Sequence, residues 1–471
     1  MMGKSQQLEA KLFYHGLSIE RRIPQDHVLR KIKQHIDFNF IRSRVEHLYG
    51  NNGHVSVDPA VVLKLIFLSF YYNVKSERAL MEQLPMRLDW LWFCGYDLDH
   101  QTPDHSVISK ARNRWGIDVF TDFFSNILKQ CIDAGLVDGK TIHVDSSLIA
   151  ANAAQDGLKP HLRLLGQNLY NQLDEDQMRE NANKKNNVSD GLVNDTDPDA
   201  RLTRKNGRAT LGYKDHRVVD DNCGIITATI TTAANTHDAH ILKQAIETHQ
   251  ANVGEQVKTL AADKAYGTID NYKYLHDNHI HACVPHQKFN QHGGLPHENF
   301  IYDKTRDCYV CPANQILKRH PHGKFSRYRS NKEVCRTCIF FTQCITSKTG
   351  FRDIQRNIDA HYIEWADACM SRYQRKRLLS RRQIRAEGSF ADAANNHGFK
   401  RARWRGLFKI RMQNLMIAAT QNLRKLLRHV GSPGGSAASV MPLQRHIFCG
   451  FEFKSINATL LETVCERILT F

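Results

Sequence analysis

The stretch Thr141-Ile142-His143-Val144-Asp145-Ser146-Ser147-Leu148 decides the fold, because there the chain stops reading as helix and begins to alternate. Ile142 and Val144 fall on one side, and His143, Asp145 and Ser147 on the other, the two-residue period of a strand with one apolar face. Before it, residues 54–140 carry helix signals. Asp58 followed by Pro59 supplies an N-cap and a first-turn proline, and the apolar run Ala60 to Tyr72 follows. Further helices are predicted at Ser76–Leu84, after Thr102-Pro103-Asp104, and at Asp118–Ala134 ahead of Gly135. An all-α N-terminal domain over residues 1–138 is the expectation.

After it, strand signals recur at Leu211–Asp220 and Gly224–Thr231, joined by the hairpin turn Asp221-Asn222-Cys223-Gly224. A helix at His240–Gln250 leads to a strand, Val257–Asp263, which stops at Lys264-Ala265-Tyr266-Gly267, and a short strand follows at His281–Pro285. This order predicts an α/β unit over 139–428, a mixed sheet flanked by helices. Two stretches interrupt it: residues 151–208, polar from Asn168 onward and read as an insertion, and the cysteine-rich residues 300–350. Gln355–His429 reads as helical. Gly431-Ser432-Pro433-Gly434-Gly435-Ser436 is a flexible linker within a 429–471 linker and tail.

A chain of 471 residues exceeds what one hydrophobic core organises, so more than one domain is expected. Its 65 Lys and Arg against 48 Asp and Glu leave +17, which points to a polyanionic partner such as nucleic acid. The Ala60–Tyr72 run is too short for a membrane span and carries Lys64, and the N-terminus has no secretory signal pattern. A cytoplasmic protein without membrane contact is expected. Cys94, Cys131, Cys223, Cys283, Cys369, Cys449 and Cys465 are scattered and read as small buried hydrophobes.

Three acids invite a chemical reading. Counting by threes and fours from Glu387 gives Ser380, Gln383, Ile384, Phe390, Ala391 and Ala394, so this carboxylate shares a helix face with small and apolar residues. An inward carboxylate is costly unless paired or bound to metal. The other faces carry Arg372, Arg375, Lys376, Arg377, Arg381, Arg382 and Arg385, suited to phosphates, although a solvated basic helix would look the same. Asp145 on one strand and Asp263 at the end of another can meet such a helix at a sheet edge, where Mg²⁺ or Mn²⁺ takes oxygen ligands, although either acid alone reads equally as a turn cap or a surface residue.

The runs HVDSSLIAANAA, TDPDA, LGYKDHRVV, TTAANTHDAHIL, LAADKAYGT and EGSFADAANNHGFKRARWRGLFKIRMQNLMIAATQNLRKLL resemble, in this order, those of DDE-type transposases of bacterial insertion sequences. VDPAVVLKLIFLSFYYNVKSERALMEQL and TPDHSVISKARNRW are similar to their N-terminal domain. The resemblance implies an RNase H-like core with a mixed five-stranded sheet, like that of retroviral integrases. Asp145 would lie on its first strand, Asp263 at the end of its fourth and Glu387 on a late helix, together holding two metal ions. It also implies end recognition, cleavage and strand transfer on double-stranded DNA by a dimer or higher oligomer. His237 and Asp238 fall near the implied active-site edge, and His397 just beyond the Glu helix. The sequence departs from the pattern at Ala394, where a Lys is usual, and at Gln383, where an Arg is usual and Arg382 is the nearest substitute. Ala394 leaves a catalytically weakened DNA-binding derivative or repressor as the alternative.

Cys308-x2-Cys311 and Cys335-x2-Cys338, with Cys344 close behind, have the spacing of a zinc ribbon. Cys308, Cys311, Cys335 and Cys338 are the expected structural zinc ligands and Cys344 the spare, against a reduced metal-free loop. Lys400, Arg401, Arg403, Trp404 and Arg405 interleave cations with an aromatic ring and, with Arg382, are expected to bind DNA. A solvated helix end with one packed Trp reads equally well.

Overall fold

The computed structural model describes Met2 and residues 18–50, 54–160, 192–205, 207–286, 294–322, 325–346 and 348–430. Most of the expected polar insertion, residues 161–191, lies outside them, as do the glycine-rich linker and the tail to Phe471.

The N-terminal part is helical, as its caps require. Helix α1 (Pro59–Tyr71) starts where the Asp58 side chain accepts from the Ala60 N–H, and Ser76 caps the helix Glu77–Gln83 in the same manner. Apart from Lys64, the side chains from Pro59 to Phe70 are all buried, which an all-round apolar helix demands. Around it pack α2 (Ser106–Trp115), α3 (Asp118–Asp133) and shorter helices, with Phe38, Phe67, Phe93 and Phe123 in ring contact.

Strand β1 (Thr141–Ala150) then opens the sheet. Strands β2 (Arg201–Lys205), β3 (Arg208–Asp220) and β4 (Ile226–Ala233) follow, and after helix α4 (Leu242–Val253) come β5 (Thr259–Ala262), α5 (Ile269–Asp277) and β6 (His281–Cys283). β3 runs antiparallel to β1 and β4, whereas β5 and β6 run parallel to β1, giving the order β4-β3-β1-β5-β6. β2 pairs with the first half of β3, so the sheet has six strands rather than the five expected. The sixth comes from residues assigned by composition to the polar insertion. Polarity misled there because β2 is an edge strand, while the residues just before it are interior: Asn194, Asp197 and Ala200 are buried. Asp197 explains why, since it accepts from the Tyr213 hydroxyl at 2.5 Å and the Gly406 N–H at 2.9 Å.

Helices cover both faces of the sheet. Ile142 and Val144 pack with Leu242, Ile246 and Leu275 from α4 and α5. Ile149, Tyr213 and Val219 join the core of the N-terminal helices.

The cysteine-rich stretch is a separate antiparallel sheet: β7 (Ile301–Asp303), β8 (Cys308–Val310), β9 (Ile316–His322), β10 (Phe325–Arg329) and β11 (Asp353–Asn357), paired in sequence order. Its last strand falls where a helix had been expected from Gln355. Helices resume with α6 (Ala360–Ala368) and α7 (Arg372–Arg382), then one π-helical turn (Gln383–Glu387), α8 (Gly388–His397) and the largely buried α9 (Leu407–Val430). α9 links the two lobes. Its Asn422 accepts from the Ile226 N–H and donates to the Ile226 carbonyl of β4, while its own carbonyl takes the Cys131 thiol of α3. Among the described residues, no helix is long and apolar enough to cross a membrane.

A carboxylate cluster at the sheet end as candidate active site

Strand pairing brings the first two acids together. β1 and β5 are parallel with Val144 opposite Ala262, and Asp145 and Asp263 are the next residue on each. Asp145 accepts from the Ser146 N–H at 2.8 Å and Asp263 from the Lys264 N–H at 2.7 Å. Glu387 arrives from the α7–α8 helix. Arg382 ties it in, one guanidinium nitrogen lying 3.1 Å from the Asp145 carboxylate and another 2.8 Å from Glu387.

The π-turn makes this bridge possible. In an ordinary α-helix, residues five apart point in different directions, but the extra residue of a π-turn brings them onto one face. Arg382 and Glu387 are such a pair. The same turn corrects the expected helix face: Ile384 is exposed, and the buried side runs through Arg382, Ala386, Ser389, Phe390, Ala393 and His397. Glu387 itself is half-exposed, open to a ligand from solvent.

Burial at the end of the sheet disfavours the charged form of its first acid. Asp145 is pushed up to about 6, first by burial and then by Glu387 and Asp263, with Arg382 acting the other way. The Arg382 Nε is buried without a hydrogen-bond partner, so the guanidinium serves these acids at some cost to itself. Beneath them Arg217, opposite Asp145 on β3, is fully buried. It pairs with Asp215 at 2.8 Å, donates to the Ser389 carbonyl and Gln421, and stacks on Phe390 and Phe399. This arginine locks the Glu helix to the sheet.

Asp238 accepts from the Ser146 hydroxyl at 2.8 Å and from the Lys214 ammonium at 2.9 Å. Burial works against its charge, but Lys214 and then Ser146 outweigh that and hold its carboxyl below the usual range. Tyr266 is kept protonated, by burial first and then by Asp238 and Asp145. Ser146, Lys214 and Tyr266 were not singled out from the sequence, although they sit inside the runs HVDSSL, LGYKDH and ADKAYGT. The signal was their closeness in sequence to the acids and turns already identified.

His237 stands at the edge as an N-cap, accepting from the Ala239 N–H at 3.3 Å. His397 lies elsewhere, fully buried between lobes. Its Nδ1 donates to the Phe70 carbonyl at 2.9 Å while Arg424 donates to its Nε2 at 3.3 Å, and burial lowers it to about 4. Within the basic run, Arg403 donates to the carbonyls of Ser69, Val74 and His397 and to Asn73, over the Phe70 ring. Trp404 donates to Glu77 and is stacked under Arg112. Arg401 and Arg405 are exposed, Arg405 donating to the Asn152 carbonyl, and Lys400 reaches the Ser147 hydroxyl at 2.7 Å.

Asp145, Asp263 and Glu387 offer the hard oxygen donors that Mg²⁺ and Mn²⁺ prefer, and Arg382 already stands between two of them as a cation. Among the described residues, no group of three or more His, Cys, Asp or Glu side chains forms a closed ligand set.

Two families match this chain. Residues 17–114 match the family described as Transposase domain (DUF772), and residues 310–427 match Transposase DDE domain. Both matches are to transposase families, the second of the DDE type, and together they support a DDE transposase. The second match takes in Glu387, while Asp145 and Asp263 lie outside both. No curated protein matches this transposase. Among solved structures it is similar to the piggyBac transposase in a synaptic complex with hairpin DNA, at 10% identity and a TM-score of 0.25, over 86% of this chain and 80% of that one. At that score the likeness assigns nothing further.

Proposed function

We propose that this transposase binds the ends of its element, cleaves DNA phosphodiesters there, and joins the freed 3′-hydroxyls to target DNA. Asp145, Asp263 and Glu387 are its catalytic carboxylates. The observation that carries the reading is their convergence: two acids on neighbouring parallel strands and a third from a late helix, coupled through Arg382. An RNase H-like core is supported by the strand order β4-β3-β1-β5-β6, in which β1 and β5, the strands that carry Asp145 and lead into Asp263, lie side by side with β2 as an extra edge.

A pair of divalent ions held by the three acids would activate the attacking oxygen and stabilise the leaving one. The chain's own residues prepare the place. Arg217 fixes the Glu helix, Lys214 and Ser146 hold Asp238 ionised beside Asp145, and Arg382 keeps Asp145 and Glu387 together. Arg382 is also the nearest strong donor for a DNA phosphate approaching that pair, and Lys400, Arg401 and Arg405 extend the positive surface. Pairing two ends of an element calls for a dimer or higher assembly.

The test is nicking of DNA carrying the element's own ends, in Mg²⁺ or Mn²⁺. Asp145→Asn and Asp263→Asn should each abolish cutting while DNA binding stays within a few-fold, since the amide removes the ion-holding charge and keeps the shape. Retained metal-dependent nicking by either variant would overturn the assignment. Ala394, where the family pattern has Lys, favours a second reading, a DNA-binding derivative that no longer cuts; wild-type protein that binds ends without nicking them would select it.

A further inference from the structure

The cysteine-rich module has a small apolar core, Phe300, Tyr309, Leu317, Tyr328 and Ile354, under a five-stranded sheet. Units with so little core are commonly stapled by a metal or disulfides. The spacing alone paired Cys308 with Cys311. Strand alternation separates them. Tyr309 takes its place in the module core, so its neighbour Cys308 turns to the opposite face of β8, buried there at 5% exposure.

The other four converge. Cys311, Cys335, Cys338 and Cys344 line one cavity of about 30 Å³, floored by Leu317, the cross-strand partner of Tyr309. Cys308 is absent from its wall. Backbone N–H groups already point at two of the sulfurs, Gln315 to Cys311 at 3.3 Å and Phe340 to Cys338 at 3.4 Å, bonds that strengthen when the sulfur is a thiolate. Cys311 closes one strand-to-strand turn, Cys335 and Cys338 flank a short helix end, and Cys344 ends the next helix. Three separate segments therefore bring thiols to the wall of one cavity.

We infer that Cys311, Cys335, Cys338 and Cys344 form a four-thiolate structural zinc site, and that Cys308 is a buried structural residue outside it. Soft sulfur donors around an apolar cavity select Zn²⁺ over the hard ions suited to the carboxylate end. Without an ion the thiols surround the cavity and form no closed set. Zinc would draw them to about 2.3 Å from a common centre and release their protons, contributing its binding energy to the fold of the module.

The test measures zinc in full-length protein purified without chelator, together with the X-ray absorption spectrum at the zinc edge. Wild type should hold about one zinc per chain in a sulfur-only shell. Cys308→Ser should keep both the content and that shell, and Cys344→Ser should lower zinc affinity at least tenfold or change the shell to mixed oxygen and sulfur. Should Cys344→Ser prove insoluble, cobalt substitution in wild type and Cys308→Ser gives the same reading, because four thiolates produce one tetrahedral spectrum in both. Zinc lost from Cys308→Ser, a shell containing nitrogen, or a metal-free wild type whose cysteines are freely titratable or disulfide-linked would overturn the assignment.

Discussion

The carboxylate end and the cysteine module are both clusters of metal-loving side chains, but different forces hold them in place. Around the carboxylates, a six-stranded sheet between helical layers fixes each residue before any ion arrives: strand register sets Asp145 beside Asp263, and the buried Arg217 pins the helix that carries Glu387. In the module, the thiols sit on turns and short helix ends over a core of a few aromatic and aliphatic side chains. The first cluster is positioned by the fold. The second, on the zinc reading, positions its own fold.

That difference predicts opposite responses to metal removal, and this is the largest effect expected. Chelation should stop DNA cutting without altering amide exchange in β1, β3 and β5, yet raise exchange across residues 301–357 by orders of magnitude as the module opens. Equal protection of the module with and without chelator would break the comparison, since the module would then stand on packing alone.

Next comes a residue of the packed body. Arg403 satisfies three carbonyls and Asn73 while covering the Phe70 ring, so Arg403→Ala leaves those acceptors unpaired and should cost about 2–4 kcal/mol in chemical denaturation. Arg403→Lys should recover little, because a single ammonium cannot span the same acceptors. A cost below about 0.5 kcal/mol would assign Arg403 to the surface after all.

A smaller, pH-dependent effect comes from His397. Its folded value is lowered to about 4 from an ordinary 6.5, so between these values the unfolded chain takes up a proton that the folded chain refuses. Stability from this group is complete above about pH 6.5 and is lost as pH falls towards 4, amounting to about 2 kcal/mol between pH 7 and 5. His397→Gln should flatten that part of the stability–pH curve. An unchanged curve would mean another group carries the dependence.

Sequence periodicity exposed β1, the hairpin, α1 and the order of the core, because caps and alternation are local signals. Of the three acids it marked only that one lies on a strand and one at a strand end; naming them as a set came from the ordered runs that resemble a family, and their adjacency on neighbouring strands is set by register. Three things escaped it, each for a non-local reason. The strand β2 is polar because it lies at the edge, and its identity depends on pairing with β3. The π-turn shifts the helix by one residue, which no count by threes and fours can anticipate, and so moved Ile384 outward and set Arg382 against Glu387. The wall of the cysteine cavity depends on which face of β8 meets the core, so a CxxC spacing could not tell Cys308 from Cys344.

The smallest effect concerns the basic run, where packed and exposed residues alternate within a few positions. Arg403 and Trp404 are half-buried and spend their donors on the protein's own acceptors, whereas Lys400, Arg401 and Arg405 reach the surface, Lys400 beside Ser147 two residues beyond Asp145. If these three track phosphates, log affinity for DNA should fall with log salt at about −0.9 per contact, and replacing all three by Ala should flatten the slope by roughly two to three units. The loss should be equal on cognate and random DNA, because phosphate contacts carry no sequence information. Arg403→Lys supplies the contrast: it keeps the charge and disturbs the packing, so it should lower stability with the salt slope unchanged. A triple variant whose slope matches wild type would move the DNA path away from this run and leave Arg382 as the nearest cation to the reacting strand.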